Sequence, residues 1–356
     1  MTTISAEPSP APERAAPDAD AGAGAACRAA PLRRLVAVAA AGALLATAAG
    51  CAQPGGGTPA EGAADTAAQS CPAPPTPDDP PERVVTLDGG SAAILAGLGL
   101  ADRIVGTADT GFFDPFEGEE AQELSRIPVL EDGQAGRELV IAAEPDLVMG
   151  IHPFQFGSFD GTPTVAELRA AGSDALVACP ASGTVTGIDG TLEFIGQTAE
   201  VFGVPERGEE LAERVASDAD AAAPPSGTAP VRVLMVSDAP QAGRPIGTLG
   251  AASPANGVIT RAGGENIAGD IEQELLEVSP EEVVARDPEA IVVLTGFSTL
   301  SGPEIADAVR ADPVLSRTTA VREDRFAVLP QSIAVSPSVL NGRAVAAIAE
   351  TLHATA

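Results

Sequence analysis

The sequence predicts an α/β fold of two lobes joined through a helical segment, and three observations carry that prediction. Short apolar runs alternate with amphipathic runs of helical spacing along 83–189 and again along 225–356, the pattern of parallel sheets flanked by helices. Residues 190–224 break the alternation with two long helical stretches around Gly203 and Pro205. The stretch RELVIAAEPDLVMG at 137–150 is also echoed by PEEVVARDPEAIVV at 280–293. In each copy a Glu (Glu138, Glu281) leads an apolar run ending in Ala, followed by acid-Pro-acid (Glu144-Pro145-Asp146; Asp287-Pro288-Glu289) and a second apolar run. Each copy reads as a short helix, a Pro turn and a buried strand.

In order, Val84 to Leu87 is a short strand, Asp88-Gly89-Gly90-Ser91 a turn offering Ser91 as a helix cap, and AAILAGLGL a helix stopped by its glycines. RIVGTAD is a second strand. A helix at 137–143, strand DLVMGI, helix TVAELRAAG and strand DALVACP complete the first lobe. PPSGTAP ends the helical segment. The second lobe runs through strand VRVLMVSD, helices at 256–262 and 279–285, strand AIVVLTG, helix EIADAVRA, strand RFAVLP and a last helix near 338–353.

At 356 residues there is material for about two domains. The 50 acidic residues against 20 basic ones, net −30, exclude nucleic acid as a partner, since phosphate binding needs Lys and Arg. They also exclude a polybasic membrane patch. With no Trp, no Tyr and 10 Phe, a ligand pocket must use Phe, Arg, His or backbone groups.

Residues 1–50 read as an export leader. Arg33-Arg34 precedes an apolar run from Leu35 to about Ala48, too short for the ~20 residues of a membrane span but suited to a signal core. Ala49-Gly50-Cys51 resembles a bacterial lipobox, which implies cleavage before Cys51 and a diacylglyceryl anchor on its sulfur. Residues 51–82, rich in Pro, Gly, Ala and acid, form a tether; up to Cys71 it spans ~25 Å if flexible. Export into an oxidising compartment leaves Cys71 and Cys179 to pair, the alternative being two separate buried thiols.

ERVVTLDGGSAAILAGLGLADRIVGT, GRELVIAAEPDLVMG, RAGGENIAGD, SPEEVVARDPEAIVVLTG and DPVLSRTTAVREDRFAVLP, in order from Arg83 onward, resemble the substrate-binding lipoproteins of ABC importers serving ferric siderophores, vitamin B12 and haem. The resemblance implies the class III periplasmic-binding-protein architecture, two Rossmann-like lobes bridged by one long rigid helix with ligand in the cleft. It also implies that Glu138 and Glu281 each meet Arg residues of a permease dimer. Both are equally first-turn acids that favour a helix dipole, and Ser279-Pro280-Glu281-Glu282 reads as a capping box.

Ligands of open α/β sheets contact loops at strand carboxyl ends. Those loops supply Asp88, Thr107, Asp109, Phe112, Phe113, His152, Phe154, Phe156, Asp238, Arg244, Phe297 and Gln331 as cleft candidates. The phenylalanines serve equally as plugs beneath the loops. Arg244 suits a carboxylate, catecholate, hydroxamate or phosphate oxygen, or a solvated surface. His152, alone on its loop, is a hydrogen-bonding residue or a metal ligand. A bare metal would need three or four converging His and carboxylate ligands, and with no Tyr the usual second haem ligand is missing. A chelated metal needs only shape and a few polar contacts.

GLGLADRIVG carries Asp102 where a dinucleotide fingerprint needs Gly, GFSTLSG lacks nucleophile-elbow spacing, and no Walker motif occurs. The reading assigns no catalytic residue, metal site or cofactor. Its expectation is an extracytoplasmic, lipid-anchored receptor delivering an iron-siderophore-type chelate to an ABC permease dimer with its ATPase, touching the membrane through the anchor only. Cobalamin or haem is the alternative cargo, and a solute-sensing lipoprotein without transport is the alternative role.

Overall fold

The apolar runs become short parallel strands buried on both faces. The computed structural model describes residues 71–179 and 187–354; the leader, Cys51 and the tether as far as Ser70 lie outside the described residues. In the first half, Val84–Thr86 (β1), Ile104–Thr107 (β2), Leu147–Gly150 (β3) and Asp174–Val177 (β4) pair in the order β2-β1-β3-β4, all parallel. The second half holds Val231–Val236 (β5), Ile246–Leu249 (β6), Gly264–Asn266 (β7), Leu275–Val278 (β8), Ala290–Thr295 (β9) and Phe326–Pro330 (β10). Here β10-β9-β5-β7 form a parallel sheet, and β6 and β8 pair antiparallel beside it. The last pair and β7 carry no clear signal in the sequence, because they are three or four residues long and include Gly and Glu.

The helix after β1, Gly89–Gly97 (α1), is capped by Asp88, whose carboxylate accepts from Ser91 N at 2.7 Å. This corrects the expectation that Ser91 is the cap. Ser91 lies one turn inside, its hydroxyl donating to Asp88 Oδ2 at 3.2 Å, because the two glycines let the helix start earlier than side-chain preference suggests. Further helices of this half are Gly118–Leu124 (α2), Arg137–Ala142 (α3) and Val165–Ala170 (α4), the last closed by a Thr164/Glu167 capping box.

Gly187–Val201 (α5) and Pro205–Ala222 (α6) form a helical hairpin that turns at Gly203, φ +66°, with Pro205 at the first helical position. The eighteen residues of α6 span about 27 Å at 1.5 Å per residue, and the helix touches both halves. Near its start Arg207 donates to Leu98 O at 3.1 Å, and Leu211 packs on Gly97 of α1. Near its end Asp220 pairs with Arg261 of Pro254–Arg261 (α7), and Asp218 lies over Gly342 of the last helix. A Cβ at Gly342 would stand 2.5 Å from the Asp218 Cβ, so only glycine permits this crossing.

Pro280–Arg286 (α8), Gly302–Ala311 (α9), Thr319–Arg322 (α10), Gln331–Ala334 (α11) and Asn341–His353 (α12) complete the second half. One apolar cluster is continuous across both halves, running from Ile94, Leu98 and Met149 through Phe194, Leu211 and Val215 to Met235, Ile259 and Ile348. Smaller clusters sit beneath the outer face of each sheet.

The acid-Pro-acid part of the echo is a structural clasp. Glu144 and Asp287 both adopt left-handed φ, 49° and 43°. Arg83 donates to Ala143 O and Glu144 O at 2.6 and 2.9 Å; Arg232 donates to Arg286 O and Asp287 O at 3.1 and 2.9 Å. The second acid completes each clasp: Asp146 accepts from Arg83 N, and Glu289 accepts from Arg232 N. Carbonyls left open by a short helix end are thereby satisfied twice in the same way.

Cys71 and Cys179 form a disulfide with Cα atoms 5.6 Å apart. Cys179 lies just beyond the carboxyl end of the edge strand β4, so the tether's end is fixed there.

Candidate ligand-binding cleft

All-parallel sheets bring their strand carboxyl ends to a common rim, and the two rims meet. Gly90 approaches the second half so closely that a Cβ there would stand 3.3 Å from Pro337 O. His152 Nε2 lies 3.5 Å from Glu274 Oε2. Arg343 donates to Pro115 O at 3.2 Å and stands 3.6 Å from Glu120.

On the first rim, three candidates turn inward instead of lining a cleft. Asp88 is fully buried, and its carboxylate accepts from Ser91 N, Ser91 Oγ, Ile151 N and Gln155 Nε2. Burial raises its pKa even against those hydrogen bonds, which pull it down. Asp88 thus joins the turns after β1 and β3. Thr107 is buried, bonded to Thr86 Oγ1 at 2.7 Å. Phe156 packs in the apolar cluster with Val148 and Leu168, the plug role. These are corrections with one physical cause: strand-end residues adjoining a core are buried by it before a ligand can reach them.

Phe112 and Phe113 are half-buried, lying against the continuous core and over Gly89, where a Cβ would meet them at 2.8 and 2.9 Å. Asp109 is half-buried, and burial together with the charge of Asp88 lifts its pKa to about 6. His152 stacks on Phe154, ring centroids 4.2 Å apart. Its Nδ1 accepts from Phe154 N at 3.1 Å, while Nε2 stands 3.5 Å from Glu274 Oε2. Nδ1 is therefore engaged, and Nε2 faces a carboxylate across the rims. Ligation by His152 would require breaking the contact with Glu274, a residue that nothing in the sequence singles out.

On the second rim, Asp238 is exposed and accepts from Ala239 N at 2.8 Å. Arg244 is exposed and donates to Gln241 Oε1 at 3.2 Å, with no carboxylate partner among the described residues. Phe297 is 42% exposed. Gln331 donates to Gly296 O at 3.0 Å, and the neighbouring Ser332 hydroxyl is buried with no partner among the described residues. No group of three or more His, Cys, Asp or Glu among the described residues could hold a metal ion.

Glu138 and Glu281 sit in the first turns of α3 and α8, exposed and without an ion pair among the described residues. Each helix runs antiparallel to the strand it feeds, so each Glu belongs to the rim end of its own sheet. Glu282, by contrast, pairs with Arg286 at 2.8 Å.

Residues 84–333 match a family model described as periplasmic binding protein. The chain is similar to the cobalamin-binding protein of Halobacterium salinarum, 31% identical over 250 residues that make up 68% of this chain and 62% of that protein. It thus spans less than two thirds of that relative's length. Among solved structures it resembles the haem-binding protein RhuT of Roseiflexus sp. RS-1, with a TM-score of 0.61, 25% identity and 77% of this chain against 98% of that one. It also resembles an ABC-type Fe3+-hydroxamate transport protein of Saccharomonospora viridis, with a TM-score of 0.61, 27% identity, and 78% and 94% covered.

Proposed function

The chain belongs to the periplasmic binding protein family, and from that premise we propose that it is the receptor of an ABC importer that holds a bulky metal chelate between its two rims. The family binds solutes outside the cytoplasm and carries out no chemistry on them. What supports the reading is the family match together with two parallel sheets whose strand-end loops carry Asp109, Phe112 and Phe113 in the first half and Arg244 and Phe297 in the second, with α5 and α6 between the halves. Such a lining suits a cargo whose metal is already coordinated by its carrier.

The lobes 83–189 and 225–356, with 190–224 between them, are the proposed gripping units. Cleavage before Cys51, lipid on its sulfur and the tether 51–82 hold the receptor at the outer face of the membrane. Glu138 and Glu281 dock on a symmetric permease dimer with its ATPase; two separated charges fix orientation and speed encounter more than they tighten binding.

Cobalamin stands first among the chelates, because the relative sharing 31% identity over 250 residues is named for it. A ferric siderophore, placed first by the sequence, is the second reading, favoured by the likeness to the hydroxamate transport protein. Native mass spectrometry and thermal shift with cyanocobalamin, ferrioxamine B and haemin test both. A 1:1 complex with one chelate and a raised Tm is expected. No complex with any of the three would overturn the chelate reading.

A further inference from the structure

The disulfide and the polarity of the first sheet together decide where the chain leaves the folded domain. All four strands of that sheet are parallel, so one end gathers their amino ends and the other, the rim, their carboxyl ends. The fold begins at the amino end. Glu82 N and Arg83 N donate to Asp146, which precedes β3, and Pro81 O accepts from Arg103, which precedes β2. Pro80 lies against Gly203, at the turn between α5 and α6. Cys71, by contrast, is joined to Cys179, just past the carboxyl end of β4. Between these two points residues 72–80 make no hydrogen bond among the described residues, and most of them are exposed. The covalent bond is therefore what holds the start of this segment at the rim.

Magnitudes make the placement matter. The segment carries Pro72, Pro74, Pro75, Pro77, Pro80 and Pro81, and a Pro-rich chain extends at ~3.1 Å per residue, so the two possible roots lie up to about 30 Å apart. A coil of the length and composition of 51–70 reaches only ~25 Å. A tether of that reach does not average out the position of its root. Glu138 belongs to the same rim as Cys179. It lies in the first turn of α3, where Arg137 N donates at 2.7 Å to Gly161 O in the loop after β3.

We propose that the Cys71–Cys179 bond orients the anchored receptor: by rooting the tether at the rim, it turns Glu138 and Glu281 toward the membrane that holds the permease. The inference rests on the lipid-anchor and docking readings above and adds the device that aligns them. Without the bond, the first residue pinned by a hydrogen bond is Pro81, and the same anchor holds the receptor by its far end, rim outward.

The test uses the lipidated full chain, purified from membranes and placed on phosphatidylcholine vesicles that carry a headgroup acceptor dye, with no cargo and no permease. A donor dye is attached through a clickable unnatural residue at Phe159, in the rim loop after β3, or at Asp102, just before β2; both positions are exposed. In the oxidised protein, energy transfer should be about twofold more efficient from Phe159 than from Asp102, given a root displaced by about 30 Å. Cys71→Ser/Cys179→Ser should equalise or reverse that order. Reduction of the wild type on the vesicle should do the same, and re-oxidation should restore the first order; this arm decides the matter if circular dichroism shows the variant misfolded. Transfer that ranks the two sites alike with and without the bond, or that favours Asp102 in the oxidised protein, overturns the proposal while the anchor reading stands. A mature chain whose mass includes no lipid overturns the anchor reading and this proposal together.

Discussion

Replacing Cys71 and Cys179 together with Ser should destabilise the folded domain without touching its ligand affinity. The two cysteines are 108 positions apart, so the bond closes a loop of about that length in the unfolded chain. In the chain-entropy model a loop of that size removes ~16 cal/mol/K, or about 4.8 kcal/mol at 25 °C, an upper bound of which a disulfide delivers about 2 kcal/mol or more. For a domain of this size each kcal/mol moves Tm by roughly 2 °C, so a loss of about 4–10 °C is expected. The bond joins the end of the tether to the residue just past β4, and the strands beneath it pair without it. Hence the native contacts should survive in the double variant. The assay is thermal and urea unfolding of residues 52–356, oxidised against Cys71→Ser/Cys179→Ser, with chelate affinity measured alongside. Coincident unfolding curves, or two free thiols in the unreduced protein, would refute the reasoning. A collapse of ligand affinity at 25 °C would refute the claim that the bond acts chiefly on the unfolded chain.

Three other outcomes are expected. Glu138→Arg with Glu281→Arg should abolish uptake of the chelate by whole cells while purified receptor binds it normally; unchanged uptake would reject the docking role. Asp88→Ala should cost about 2–4 kcal/mol in urea unfolding, since it strands the buried Ile151 N–H and removes the cap of α1; a loss below ~1 kcal/mol would contradict the role assigned to it. Gly342→Val should lower Tm and loosen the crossing of α6 over α12, because the added Cβ falls on the Asp218 side chain; a variant as stable as wild type would show that the helices separate freely.

Much of the fold was legible because its signals are local. Val84, Val148 and Val292 belong to apolar runs with one available partner geometry, and Pro205 and Thr164 announce helix starts through the backbone donors they lack or satisfy. The short strands β6, β7 and β8 were not legible, because Gly247, Gly264 and Glu277 carry no strand preference of their own and pair only because neighbours position them. The site was legible as a set of loops but not as a set of roles. Phe112 and Phe156 look alike as aromatic residues on strand-end loops; the first stays half-exposed and the second fills a core, according to what lies beneath each loop.

The sequence by itself determined which chemistry is present: the acid excess, the repeated Glu and acid-Pro-acid stretches, the alternating strands and helices, and the two cysteines Cys71 and Cys179. These are properties of composition and of neighbours in the chain. Only the tertiary structure decided that Asp88 is a buried strut while Asp109 stays half-exposed, that His152 meets Glu274, and that the acid-Pro-acid stretches clasp Arg83 and Arg232. Each of those outcomes depends on distance between residues far apart in the chain, and burial and hydrogen-bond saturation exist only once the chain has packed.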